Sequence, residues 1–250
     1  MRPWALALAL ALAAPPAAVA DEVHVLAARA VEKVVPDLAE AFRRETGHAV
    51  SFTFGTAGAM QAKAAAGEAA DLVILGAQGA EALERRGVVS AGSRVTVGRV
   101  AVGLATRAGA PRPDILTPEA LRNALLAARS IAYADPARGG QGGTLFAALV
   151  ERLGLADALV AKTSREPDGI TALERVARGE IELGAAPVSE IVAIPGLALV
   201  GPVPASLAPA LVYTAGILVR SRAPAAAAAF VRYVTGPAGR TRLAAAGFEP

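Results

Sequence analysis

Val23 to Phe42 reads VHVLAARAVEKVVPDLAEAF. Val23, Val25 and the small apolar residues after them read as a short buried strand. From Val31 the apolar positions Val31, Val34, Val35, Leu38, Ala41 and Phe42 recur at helical spacing. A strand therefore turns into a helix at Ala28-Arg29-Ala30. The first N–H groups of a helix have no partner within it, and such a terminus favours anions. This turn is expected to form one wall of a binding site.

The same unit recurs along the chain. His48 to Phe54 alternates like a strand, Gly55-Thr56-Ala57-Gly58 breaks the pattern, and an alanine-rich helix follows to Ala66. Ala70 to Leu75 reads as a third strand and Gly79 to Arg86 as a helix, before a long apolar run from Val95 to Ala105. Thr117-Pro118-Glu119 opens a helix to Ala128, with Thr117 as N-cap and Pro118 at the first helical position. Ser130 to Ala134 is a strand, Asp135 to Gly143 a glycine-rich turn, and Thr144 to Leu153 a helix. The chain continues with a helix from Asp168 to Arg178, a strand from Ile181 to Ala186, an apolar strand from Ala210 to Val219 that carries Tyr213, and helices from Pro224 and Pro237. Strands alternating with helices predict an α/β fold with parallel sheet.

Ahead of Val23 the sequence reads as a secretory signal peptide. Arg2 is a weak positive n-region, Trp4 to Ala14 an apolar stretch too short to span a bilayer, and Ala18-Val19-Ala20 a small-residue cleavage site before Asp21. Cleavage after Ala20 leaves roughly 230 residues, enough for two lobes with real cores. No later apolar run is long enough to cross a membrane, so the mature chain is expected to be an exported soluble protein.

Composition removes several function classes. Of the 25 basic residues 22 are Arg, yet they form no dense stripe with interleaved aromatics, which argues against nucleic-acid binding. The chain has no cysteine, hence neither disulfides nor thiolate metal sites. Its single Trp lies in the signal segment, so aromatic platforms of the kind that stack on sugars are scarce. The two histidines, His24 and His48, fall in or beside strands and read as structural, which leaves no metal site. There is no G-x-S-x-G nucleophile turn, and Gly139 to Gly143 lacks the Lys-Ser/Thr ending of a nucleotide P-loop. What remains is a set of small-residue turns, Ala28-Arg29-Ala30, Thr56-Ala57-Gly58 and Gly142-Gly143-Thr144, at the carboxyl ends of strands where open α/β sheets bind ligands. Together they point to an anion or carboxylate pocket.

The order VLAARAVEKVVPDLAEAFRRETGHAVSFTFGTAGAM, KAAAGEAADLVILGA, RRGVVSAGSRVTVGRVAVGLA, ADPARGGQGGTLFAALVERLGL and the ending YVTGPAGRTRLAAAGF resembles the periplasmic molybdate-binding protein family of ABC importers. The resemblance implies a type II periplasmic-binding-protein fold: two α/β lobes, each a mainly parallel sheet flanked by helices, joined by crossover strands. The first lobe would comprise residues 21–98 and 213–250, and the second 99–212. A small anion would be clamped between them without chemistry or cofactor, in a monomeric periplasmic protein that delivers it to an inner-membrane ABC permease. The family places a serine hydroxyl at each of the first two turns and a tyrosine on the returning crossover. Here those positions read Ala30, Ala57 and Tyr213. Thr56, Arg29 and Arg138 are candidate replacement donors, while Pro187 stands where the family presents backbone and has no N–H to give. The expected ligand is a molybdate-like oxyanion. The alternatives are a small organic carboxylate held by Arg29 or Arg138, and an exported enzyme or signalling protein on the same scaffold.

Overall fold

The computed structural model describes residues 20–249, and the signal-peptide reading lies outside the described residues. The first sheet is built from β1 (Glu22–Ala28), β2 (Ala49–Gly55), β3 (Leu72–Gly76), β4 (Val95–Val100) and β10 (Leu211–Ile217) in the order β2-β1-β3-β10-β4. Helices α1 (Val35–Thr46), α2 (Ala57–Ala65), α3 (Ala77–Arg85), α9 (Pro224–Thr235) and α10 (Pro237–Ala245) accompany it. The second sheet contains β5 (Val102–Arg107), β6 (Ile131–Ala134), β7 (Thr163–Glu166), β8 (Leu183–Pro187) and β9 (Leu197–Pro202) in the order β7-β6-β8-β5-β9. Its helices are α4 (Pro118–Ala127), α5 (Gln141–Arg152), the single turn α6 (Ala156–Leu159), α7 (Gly169–Ala177) and the single turn α8 (Val188–Ile191).

The two sheets follow one plan. Three neighbouring strands run parallel in each, and the strands that carry the chain between lobes pair antiparallel: β10 with β3 and β4, β5 with β8 and β9. Each sheet is therefore mixed, a departure from the mainly parallel sheets expected. The apolar run from Val95 is split between the lobes, since β4 closes the first sheet and β5, one residue later, enters the second.

Each lobe has its own core. In the first, Phe42 of α1 meets Phe230 of α9 at 5.4 Å, and Leu243 and Phe248 from the end of the chain join the same cluster. In the second, Tyr133 of β6 packs edge-on against Phe146 of α5 at 5.1 Å among leucines of α4 and α5. Both cores bring strand ends and helix starts to the same edge, so the carboxyl ends of β1, β2 and β3 face those of β6 and β8 across a cleft.

Local sequence adjusts two of the expected helix starts. A 3-10 turn, Arg29–Val31, follows β1, and α1 begins only at Val35, with Pro36 in its first turn. Proline lacks an N–H and has φ preset for a helix entry, so it fixes the start there. Conversely α5 begins at Gln141, three residues before the expected Thr144, and takes Gly142 and Gly143 into its first turn. A Cβ at Gly143 would collide with the Ala134 carbonyl and one at Gly142 with the Pro187 ring, so only glycine lets α5 sit this close to β6 and β8.

Candidate functional site

A cavity lies between the lobes where those ends meet. From the first lobe it is lined by Ala28, Arg29, Ala30, Thr56, Ala57 and Tyr213. From the second come Gly140 to Gly143, Asp168-Gly169, Ala185 to Pro187 and Glu190. Of the sequence-derived candidates, Ala28, Arg29, Ala30, Thr56, Ala57, Gly142, Gly143, Pro187 and Tyr213 thus share one cavity.

Gly58, Arg138 and Thr144 stand outside its wall. The Gly58 N–H donates to the Gly139 carbonyl at 3.1 Å, closing the mouth. Arg138 has an exposed side chain and contributes its carbonyl, which accepts a 2.7 Å bond from Thr56 Oγ1. Thr144 is exposed and spends its hydroxyl on the Gly140 carbonyl at 3.1 Å. Thr56 is in turn committed twice, since its hydroxyl oxygen also accepts from the Ala59 N–H as the N-cap of α2.

The lobes are in contact across this cavity. Besides the Thr56 and Gly58 bonds, Arg29 Nε lies 3.1 Å from Asp168 Oδ2 on the opposite lobe. That pair is close in distance but off the hydrogen-bond line, so Nε remains without a bonded acceptor. Arg29 Nη1 donates to Glu32 Oε2 at 2.9 Å. Asp168 Oδ1 is occupied as N-cap of α7, accepting from the Thr171 N–H at 2.8 Å. The lobes are therefore closed on each other, with Arg29, the one cation lining the cavity among the described residues, held between two carboxylates from different lobes. The enclosed space is about 30 Å³ measured to the centre of a water molecule, where one water needs roughly 10–15 Å³.

Sequence reasoning missed three polar members of the wall: Gln141, Asp168 as the cross-lobe partner of Arg29, and Glu190. Glu190 is 7% exposed, and its Oε2 is packed against the Cα of Gly169 with no hydrogen-bond partner. Burial, reinforced by the nearby Asp168 carboxylate and only partly offset by Arg29, pushes its carboxyl up to about 8. Tyr213 is raised as well, by burial and then by Glu190, and stays a protonated hydroxyl. Gln141 rests over the Cα of Gly76 with Oε1 buried and unbonded. Among the described residues, five buried side-chain atoms have no partner, and three of them, on Arg29, Gln141 and Glu190, belong to this cavity. Orphaned polar atoms are rare in folded proteins, so their concentration here marks a place built to hold something polar.

The histidines take no part. His24 lies 3.1 Å from both Ser51 Oγ and Thr53 Oγ1 within the first sheet, and His48 accepts from the Asp21 N–H.

Comparison with known proteins agrees with this architecture. A family model for bacterial extracellular solute-binding proteins matches residues 23–249. An aconitate isomerase from a Pseudomonas species is 30% identical, over 97% of this chain and 94% of that protein. Among solved structures, the periplasmic molybdate-binding protein of Azotobacter vinelandii aligns with a TM-score of 0.76 at 24% identity, covering 91% of this chain and 99% of that one. The sulfate-binding protein SubI of Mycobacterium tuberculosis H37Rv aligns at 0.77 and 18% identity, covering 92% and 87%. With its two lobes, its crossover strands and a match along nearly its whole length, the chain belongs to the bacterial extracellular solute-binding protein family.

Proposed function

We propose that this protein is the periplasmic solute-binding component of an ABC importer and that its ligand is a small organic di- or tricarboxylate of the aconitate type. The observation that carries the reading is Arg29, the guanidinium in the cavity wall, whose Nε lies 3.1 Å from Asp168 Oδ2 without hydrogen-bond alignment. A guanidinium is a planar fork matched to a carboxylate. Gln141 adds an amide without a protein partner, which offers either end to a ligand. Ala30 and Ala57 bring no hydroxyl and Pro187 no N–H, so the donor set suited to a tetrahedral oxyanion is thin. The relative named aconitate isomerase supports a carboxylate rather than a metal oxyanion.

A thermal-shift panel of cis- and trans-aconitate, citrate and malonate against molybdate, tungstate and sulfate tests this. A ligand present at about a hundred times its Kd adds roughly 2.7 kcal/mol of stability, and a chain of this size then melts about 5–10 °C higher. A carboxylate is expected to give that shift. Molybdate or tungstate stabilising the protein at lower concentration than every carboxylate would establish the oxyanion reading instead.

A further inference from the structure

Resting on the carboxylate reading, we infer that the cleft also performs chemistry: Glu190 is a general base and acid that moves a proton along a bound unsaturated carboxylate, shifting its double bond. Glu190 is buried in the cavity wall, and its Oε2 has neither a hydrogen-bond donor nor a cation bonded to it. The other carboxylate in the wall, Asp168, is committed to capping α7 and to Arg29. A protonated Glu190 offers a bound carboxylate an O–H donor, and once ionised it is a base facing the cavity.

The charged and titratable groups facing Glu190 are Arg29 and Glu32 after β1, Asp168 at the start of α7, and Tyr213 on β10. Of the carboxyl and phenol groups in the wall, Glu190 is the one raised to about 8, within reach of both protonation states near neutral pH. Tyr213 is held protonated. The chain has no cysteine, so it cannot isomerise a double bond by adding its own thiolate and rotating. Both histidines are bonded elsewhere. The family relative named for an isomerase agrees with the direction of the inference.

The step balances without an oxidant or co-reactant. The Glu190 carboxylate takes a proton from a CH₂ that lies between a carboxylate and the double bond. The C–H electron pair becomes the new π bond, and the old π pair moves outward onto the conjugated carboxylate, whose charge Arg29 offsets. Glu190, now protonated, returns the proton to the far end of the former double bond. The product has the substrate's composition with the double bond moved one position; in a branched tricarboxylate whose two arms are alike, the constitution is unchanged and the geometric isomer changes when the CH₂ arm is held in the other configuration as the new π bond forms.

The test uses the full mature chain in D₂O with cis-aconitate, trans-aconitate and itaconate, followed by proton NMR. The expected result is conversion or deuterium incorporation at the allylic carbon, with kcat/KM rising as pH increases through about 8. Glu190→Gln, its fold verified by melting temperature, is expected to lose about 10²- to 10⁴-fold of that turnover. Should Glu190→Gln not fold, the wild-type pH profile decides, and a flat profile overturns the role of Glu190. Tight carboxylate binding with neither exchange nor conversion overturns the catalytic inference and leaves the binding reading standing. Binding of no carboxylate at all overturns both.

Discussion

Glu190 makes its own prediction about stability. Its carboxyl remains protonated in the folded protein up to about 8, whereas in the unfolded chain it ionises near 4.5. Between these values the folded state holds a proton that the unfolded state has released, so the contribution of Glu190 to stability is fully present below pH 4.5 and is lost as pH rises through about 8. The difference is on the order of a few kcal/mol. Urea titrations at pH 5 and 8.5 should show the decline in the wild type and its loss in Glu190→Gln. Asp71 has the opposite sign. Burial works against its charge, but N–H donors of His24, Arg222 and Ala223 and the Ser221 hydroxyl outweigh it and hold the carboxyl below the usual range. Its contribution is present above that range and is lost on acidification. Asp71→Ala leaves buried donors unpaired and is expected to cost about 2–4 kcal/mol, read as a lower midpoint in urea at neutral pH. Arg29 and Tyr213 were legible as candidates for the cavity wall because Arg29 follows a strand directly and Tyr213 lies on an apolar strand in a recognisable order. Glu190 was not: it sits in a segment with no glycine or turn signal, and only the meeting of α8 with the Arg29 turn gives it a role.

At the scale of elements, closure depends on backbone meeting backbone. A Cβ added at Gly58 would come 2.8 Å from the Gly139 Cα, where no flexible side chain can give way. Gly58 lies in the first turn of α2, and alanine is the better helix former there by about 1 kcal/mol. Gly58→Ala should therefore hold or raise the melting temperature of the free protein while weakening ligand binding at least tenfold, a combination that calorimetry and a thermal melt resolve together. Sequence patterning located most strands and helices because the buried strands are apolar and the helices carry readable caps, Thr117 and Asp168 among them. It missed β7, whose TSRE sequence lies at a sheet edge with polar, partly exposed side chains. It also placed the start of α5 too late, because glycines at the head of a helix read as loop until the packing of Gly143 on Ala134 and Gly142 on Pro187 is known.

For the whole molecule, two lobes of the same plan meet through one cavity, and the chain crosses between them at Val100–Val102 and Pro202–Leu211. Such crossings are few, a hinge geometry in which a ligand that touches both lobes favours the closed form. The contacts that hold the closed form, Thr56 to Arg138, Gly58 to Gly139 and Arg29 to Asp168, all lie at the cavity rim or wall. Ligand chemistry and closure are thereby coupled through Arg29, which faces the cavity and also bridges the lobes. The most direct test is isothermal titration of trans-aconitate and molybdate into the wild type and Arg29→Ala. The carboxylate account predicts that aconitate binds the wild type more tightly than molybdate and that Arg29→Ala weakens aconitate binding by at least tenfold, about 1.4 kcal/mol. Molybdate bound more tightly than aconitate, with Arg29→Ala without effect on either ligand, would contradict it.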